Sequence, residues 1–295
     1  MRKLVLAALL TVLTYGPSVQ ACSENGHTGI AEENTMHIGV NDKNANSVID
    51  EATFNSVLDR IEAIFTPDFA ARGKQLSVVR KWSDGTVNAY AQQSGNTWKI
   101  TMFGGLARHV EATADAFAAV ACHELGHHIG GAPKKGSIWG SSWASNEGQS
   151  DYYATSKCMR KYMESEDNQA VVAQMEIPEV VTTRCEASFA NAEEIAMCKR
   201  GAMAGEALAK LLNSLRTGSD PVSFTTPDRA VVSSTNHNHP AAQCRLDTYF
   251  AGAICDQDAS IDPDSTDANT GYCMRVDGYQ DGTRPLCWFK PSASL

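Results

Sequence analysis

Ala121-Cys122-His123-Glu124-Leu125-Gly126-His127-His128 lies inside an Ala-rich run, Ala116 to Ile129, that stops at Gly130-Gly131 and Pro133. Thr113 or Asp115 can cap the front of that run, so the pattern predicts a helix over 116–129. Residues four apart on a helix project from the same face. His123 and His127 can therefore offer their ring nitrogens to one ion, with Glu124 beside them on its open side. His128 is rotated about 100° around the helix and should face elsewhere.

An ion held by two imidazoles needs a third protein ligand from a neighbouring element. Asn146-Glu147-Gly148-Gln149-Ser150-Asp151, with Glu147 twenty residues after His127, opens a segment read as a helix from about Asn146 to Met163. Glu147, Asp151 and Cys158 recur at spacings of four and seven, so they share one face. Glu147 is the expected ligand. Asp151, one turn on, is expected to accept the outer N–H of His123 and fix that ring's tautomer. Two imidazoles and one carboxylate suit zinc and leave a fourth position for water, whose pKa the ion lowers to about 7. Glu124 would then act as general base.

The remaining bulk properties fit an exported protein. Met1-Arg2-Lys3, an apolar run from Leu4 to Tyr15, and Val19-Gln20-Ala21 together read as a signal peptide over 1–21. That run is too short for a transmembrane helix, and no later segment supplies the ~20 apolar residues one needs. Cutting after Ala21 exposes Cys22, where a lipid anchor is conceivable, although Gln20 suits lipidation poorly. The chain carries nine cysteines, pointing to disulfides in an oxidising compartment. Cys122 reads either as a buried free thiol or, the slightly favoured alternative, as the partner of Cys158; Cys185 is expected to pair with Cys198, Cys244 with Cys255, and Cys273 with Cys287. Net charge is −9, or −11 once Arg2 and Lys3 leave. Such an acidic surface excludes nucleic acid as an expected partner.

Along the chain, residues 22–50 read as a polar arm. Asp42, Asn44, Asn46 and Asp50 imitate a calcium loop, but Ser47 and Thr53 replace its glycine and its bidentate Glu, so a helix cap is the better reading. Phe54, Val57, Leu58, Ile61 and Ile64 form a helical stripe. Strands are expected at Leu76–Trp82, Val87–Ala91 and Trp98–Phe103. Gly136 to Ser145 reads as a loop and Glu193 to Arg216 as helical. The chain after Gly218 reads as loop-rich, with an acidic stretch from Asp256 to Asp267. The expected division is a catalytic domain over 51–216 and a Cys-rich region over 217–295. His109 reads as structural.

His-Glu-Leu-Gly-His followed by Asn-Glu-x-x-Ser-Asp resembles the thermolysin-type gluzincins, in which a later glutamate is the third ligand. Val87-Asn88-Ala89-Tyr90-Ala91, Trp98-Lys99-Ile100-Thr101 and Gly104-Gly105-Leu106 are similar to the substrate-side strand and hairpin of the CAAX prenyl proteases and their soluble periplasmic relatives. Ser234-Thr235-Asn236-His237-Asn238-His239-Pro240, with Arg245 beyond it, is similar to that family's Ser-Thr-His-Pro…Arg segment. Gly148-Gln149-Ser150 departs from the family pattern, as does the lack of membrane spans. The resemblance implies an α+β, zincin-like metallopeptidase with a small sheet, metal-binding helices and a disulfide-rich C-terminal region. It implies a peptide or protein substrate held by strand addition at Asn88 and Ala89. His239 is the first choice for the oxyanion and His237 the second, against a His-Pro turn with no role; Arg245 either pairs with an acid near the site or supports the loop. The expected location is periplasmic or extracellular. Two rival readings remain open: a non-catalytic envelope binding protein with a structural zinc site, and a calcium-binding envelope protein.

Overall fold

The computed structural model describes residues 29–43, 45, 48–137 and 140–291. The signal segment, Cys22 and its anchor, and Asn44, Asn46 and Ser47 of the calcium-like pattern lie outside the described residues. Asp50 does what a helix cap does: its side chain accepts the Thr53 backbone N–H at 2.7 Å. The helix it starts, α1 (Glu51–Ala71), buries Phe54, Val57, Leu58, Ile61, Phe65 and Phe69 along one stripe and continues through Pro67.

Three strands follow: β1 (Gln75–Lys81), β2 (Ala89–Ser94) and β3 (Thr97–Phe103). β3 is central, parallel to β1 and antiparallel to β2, so β2 is an edge strand. After the short turn of helix α2 (Gly104–Ala107) comes α3 (Ala114–Ile129), capped by Thr113, whose side chain accepts from the Ala116 N–H at 3.1 Å. Every residue of α3 from Ala116 onward is buried, which is why its composition is small and apolar rather than amphipathic. Asp115 at its start is held by two nitrogens of the buried Arg200 at 2.7 and 3.0 Å.

Residues read as a loop instead form a hairpin, β4 (Lys134–Ser137) with β5 (Gly140–Ser145). Gly, Ser and Lys give it none of the apolar alternation that marks a strand in sequence. α4 (Glu147–Tyr153) runs through a π-helical turn (Ala154–Cys158) into α5 (Met159–Met163), so the expected helix is continuous with one extra residue per turn in its middle. α6 (Asn168–Val172), α7 (Glu179–Ser188), α8 (Ala192–Ser214) and α9 (Ala242–Ala253) complete the described helices. The fold is α+β. α9 lies in the stretch expected to be loop-rich and packs against both α8 and α4. Its signal was Leu246, Tyr249, Phe250 and Ala253 at helical spacing, obscured by the surrounding Gly, Pro and Asp.

Among the described residues four disulfides staple the elements: Cys122–Cys158, Cys185–Cys198, Cys244–Cys287 and Cys255–Cys273. They fit an oxidising compartment. The expected pairs Cys244–Cys255 and Cys273–Cys287 are incorrect. Cys244 lies near the start of α9 and Cys255 just beyond its end, so about 16 Å of helix separates them, far more than a disulfide spans. No described helix is long and apolar enough to cross a membrane. In the acidic stretch, Asp258 accepts from the Ser260 N–H, and Asp264 from those of Thr266 and Asp267, shaping the loop with their own carboxylates.

The bond between Cys122 and Cys158 ties α3 to the π turn across a sequence separation of 36. Replacing both cysteines with Ala is expected to lower stability by about 3–4 kcal/mol, the entropy of closing a loop of that size. Urea denaturation of the parent and the double variant measures it.

Candidate metal centre

Gly126 fixes the approach of the two helices that build the site. A Cβ there would lie 3.0 Å from the Ser150 Cα and 3.1 Å from the Ser150 carbonyl oxygen, so α3 and α4 touch backbone to backbone. Glu147, at the first turn of α4, thereby reaches both histidines of α3. Its Oε2 lies 3.3 Å from His123 Nε2 and 3.7 Å from His127 Nε2. One ligand atom from each of the three side chains lies within 4.8 Å of the other two. All three side chains are fully buried.

Each imidazole is oriented from behind. His123 Nδ1 is 2.7 Å from Asp151 Oδ1, and His127 Nδ1 is 2.8 Å from the Ser145 carbonyl oxygen and 3.0 Å from Ser150 Oγ. Carboxylate and carbonyl oxygens only accept, so each Nδ1 carries the hydrogen. Both Nε2 lone pairs then converge on the Glu147 carboxylate. His123 Nε2 and both oxygens of Glu147 are buried without a hydrogen bond, as are both oxygens of Glu124. A buried polar atom left in that condition costs roughly 1–3 kcal/mol. Lone pairs facing one another need a cation between them, so the donor set fits a divalent metal held by His123, His127 and Glu147.

The electrostatics carry the same demand. Burial works to lower the pKa of His123, but Asp151 and Glu147 outweigh it and raise the value to about 9: these carboxylates draw positive charge to that ring. Burial pushes His127 down to about 3, leaving it neutral. For Glu147, burial pushes upward, yet His239, His127, His123 and Lys135 hold its carboxyl well below the ordinary range. Glu124 is pushed up to about 8, first by burial and then by repulsion from Glu147 and Asp151.

Asp151 is the hub behind the ligands. Besides His123, it accepts from Arg245 Nε and Nη2, both at 2.7 Å, and from the Tyr249 hydroxyl at 2.5 Å. Despite full burial its pKa falls to about 2, because Arg245 and His123 stabilise the anion. Arg245 is itself buried and spends its third nitrogen, Nη1, on the Ile30 carbonyl oxygen at 2.6 Å.

The other expected residues are distributed as follows. His239 Nε2 lies 3.3 Å from Glu147 Oε2 and 2.7 Å from the Gly29 carbonyl oxygen. His237 contacts Asn146 instead, at 3.3 Å. Asn88 and Ala89, expected on an exposed strand, are buried: residues 29–31 cover them. His128 stacks between Trp98 and Trp143, its Nε2 3.1 Å from the Lys99 carbonyl oxygen. His109 Nδ1 accepts the Glu111 N–H. Sequence reasoning missed Tyr249, which follows Arg245 by one helical turn, and Lys135, whose Nζ is 3.2 Å from Glu147 Oε1. Tyr249 was findable from that spacing; Lys135 comes from the unforeseen hairpin and had no signal.

Comparison with protein-family models, curated proteins and solved structures gives no match to this chain.

Replacing Asp151 with Asn leaves the Arg245 charge buried without its partner, which costs about 3–5 kcal/mol, and removes the fixed tautomer of His123. Metal affinity is expected to fall by roughly 10–100-fold. Titration with a competing chelator, alongside chemical denaturation, measures the two effects.

Proposed function

We propose that this chain is an exported zinc metallopeptidase that hydrolyses peptide bonds at the His123–His127–Glu147 centre. The observation that carries the reading is the convergence of three buried lone-pair donors on one point, with Glu124 next in sequence to His123 and buried without a hydrogen bond. Two imidazoles and one carboxylate are a zinc ligand set, and three protein ligands rather than four leave a place for water and substrate. Zinc so bound supplies Lewis acidity toward a peptide carbonyl and acidifies water.

The protein's own groups divide the remaining work. Glu124 serves as general base and returns the proton to the leaving amine. Asp151 and the Ser145 carbonyl hold the two imidazoles in the tautomer that binds metal. His239 is the candidate for steadying the developing oxyanion. Its contact with Gly29 supports that role, since there its Nε2 already donates to a peptide carbonyl. The polypeptide lane is the edge at Asn88 and Ala89.

The resemblance of the two motifs to gluzincins, and of the flanking segments to the soluble relatives of CAAX prenyl proteases, adds a zincin-like fold to this reading. Four disulfides and the basic, then apolar amino-terminal sequence support secretion to the periplasm or beyond. A non-catalytic protein with structural zinc is the competing reading, and a site with three ligands and a buried glutamate speaks against it.

Glu124→Gln separates the two. Zinc content, read by plasma mass spectrometry, is expected to stay at one per chain while cleavage of an unstructured protein falls by about 10²–10⁴-fold. Cleavage at the parent rate removes the assigned base and with it this mechanism. Glu147→Gln is expected to lose the metal itself.

A further inference from the structure

We propose that Gly29–Ala31 is an internal pseudosubstrate: it fills the peptide lane of the metal site, keeps the chain latent, and records the residues the lane accepts. This rests on the peptidase reading, whose substrate class and regulation it specifies.

The arm runs antiparallel along the edge that leads into β2. Ile30 N–H donates to the Ala89 carbonyl at 3.0 Å, Asn34 Nδ2 to the Val87 carbonyl at 3.3 Å, and Ile38 N–H to the Gly85 carbonyl at 2.8 Å. Backbone pairing at a free sheet edge is how extended peptides are bound without regard to sequence. Here the chain's own residues use that edge.

At the end nearest the metal ligands, side chains grip the arm's backbone residue by residue. His239 Nε2 donates to the Gly29 carbonyl at 2.7 Å and sits 3.3 Å from Glu147 Oε2. Arg245 Nη1 donates to the Ile30 carbonyl at 2.6 Å. Asn88 takes both sides of Ala31, accepting its N–H at 3.2 Å and donating to its carbonyl at 3.3 Å. These groups come from three places in the fold, and His239 and Arg245 also touch the ligand Glu147 and the hub Asp151. A segment packed for structure alone needs an apolar face; this one has its main-chain polar groups read one after another.

The side chains define the preference. Ile30 and Ala31 are 0% and 2% exposed, while Glu32 and Glu33 are exposed. A Cβ on residue 29 would fall 1.9 Å from the Ala89 carbonyl oxygen and 2.2 Å from Asn88 Oδ1. The position whose carbonyl faces His239 therefore takes glycine, and the next takes a branched apolar residue in a closed slot. The substrates are polypeptides that present Gly followed by Ile or a similar residue and that bend as the arm does at residues 29–31, where the Gly29 N–H reaches the Ala31 carbonyl at 3.2 Å. They enter only when the arm leaves.

Two opened forms of the full-length, zinc-loaded protein test this. One is Ile30→Asp, which places a charge in the apolar slot. The other carries an inserted site for a specific protease in the exposed turn at residues 40–43, cut after folding. A fluorescent peptide with the sequence of Gly29–Ile38 is followed by anisotropy. Both opened forms are expected to bind it about 100-fold more tightly than the parent, whose tethered arm competes at millimolar effective concentration. The same peptide with Ala in place of its first Gly is expected to bind at least about tenfold more weakly, because the added Cβ meets backbone. Cleavage of an unstructured protein should rise in step with arm release. Equal binding by parent and opened forms, or no binding by any of them with zinc retained, overturns the proposal. Tight peptide binding by the opened forms without any cleavage instead leaves the lane and its occupant standing while the peptidase reading fails.

Discussion

Asp151 accepts hydrogen bonds from His123, from two nitrogens of Arg245 and from Tyr249, all in the fully buried region between α3, α4 and α9. Desolvating a carboxylate and a guanidinium costs several kcal/mol per ion, and only near-ideal geometry offsets it. Here Oδ1 accepts from three donors and Oδ2 from one. The pair does more than hold helices together, because its arms reach the metal ligand on one side and the amino-terminal arm on the other. Moving Asp151 would release the His123 ring, the placement of α9 and the Ile30 carbonyl at once. That concentration of roles explains why a chain would retain an ion pair that apolar side chains could replace for stability alone.

The candidate metal centre also depends on how little volume α3 occupies. Its alanines and Gly126 let α4 approach until backbones touch, and this proximity puts a first-turn carboxylate within 4 Å of two imidazoles one helix away. Exclusion of water then strengthens every charge in the pocket. Three carboxylates, those of Glu124, Glu147 and Asp151, share that space with the cations of Arg245 and Lys135. The raised pKa of His123 and the hydrogen-bond-free oxygens of Glu147 are two expressions of the same excess of negative charge, which a divalent cation would neutralise.

Burial of this kind conflicts with access. Under the proposed hydrolysis, fully covered ligands cannot take a polypeptide without a part that moves, and in this chain the covering element beside His239 is the arm itself. The arm gives the core three buried residues, Ile30, Ala31 and Ile38, and is polar and largely exposed at Glu32 and Glu33 between them. Few apolar contacts and a path along an edge strand make it the kind of element that opens locally at modest free energy. The rest of the site stands on helices tied by a disulfide and a buried ion pair.

Much of this was legible along the chain, because local rules govern it. The i, i+4 spacing of His123 and His127, the capped start of α1 at Asp50, the stripe Phe54 to Ile61 and the three strands all follow from periodicity and capping, which act over a few residues. Glu147 and Asp151 were legible for the same reason, one helical turn apart. Neither the hairpin that carries Lys135 nor α9 announced itself: the first has only Trp143 and Ala144 among its Lys, Gly and Ser residues, and the second is short and flanked by turn residues. The cysteine pairing between α9 and the tail could not be read, since it depends on where the helix ends in space. Sequence by itself determined the donor types and their spacing, because covalent order and helical pitch set those. Tertiary packing alone decided that Arg245 and Tyr249 would close on Asp151, that His239 would face Glu147, and that residues 29–31 would lie along the edge expected for a substrate. Those contacts join residues 57 to 215 positions apart, and only the burial of a shared core brings such distant groups together.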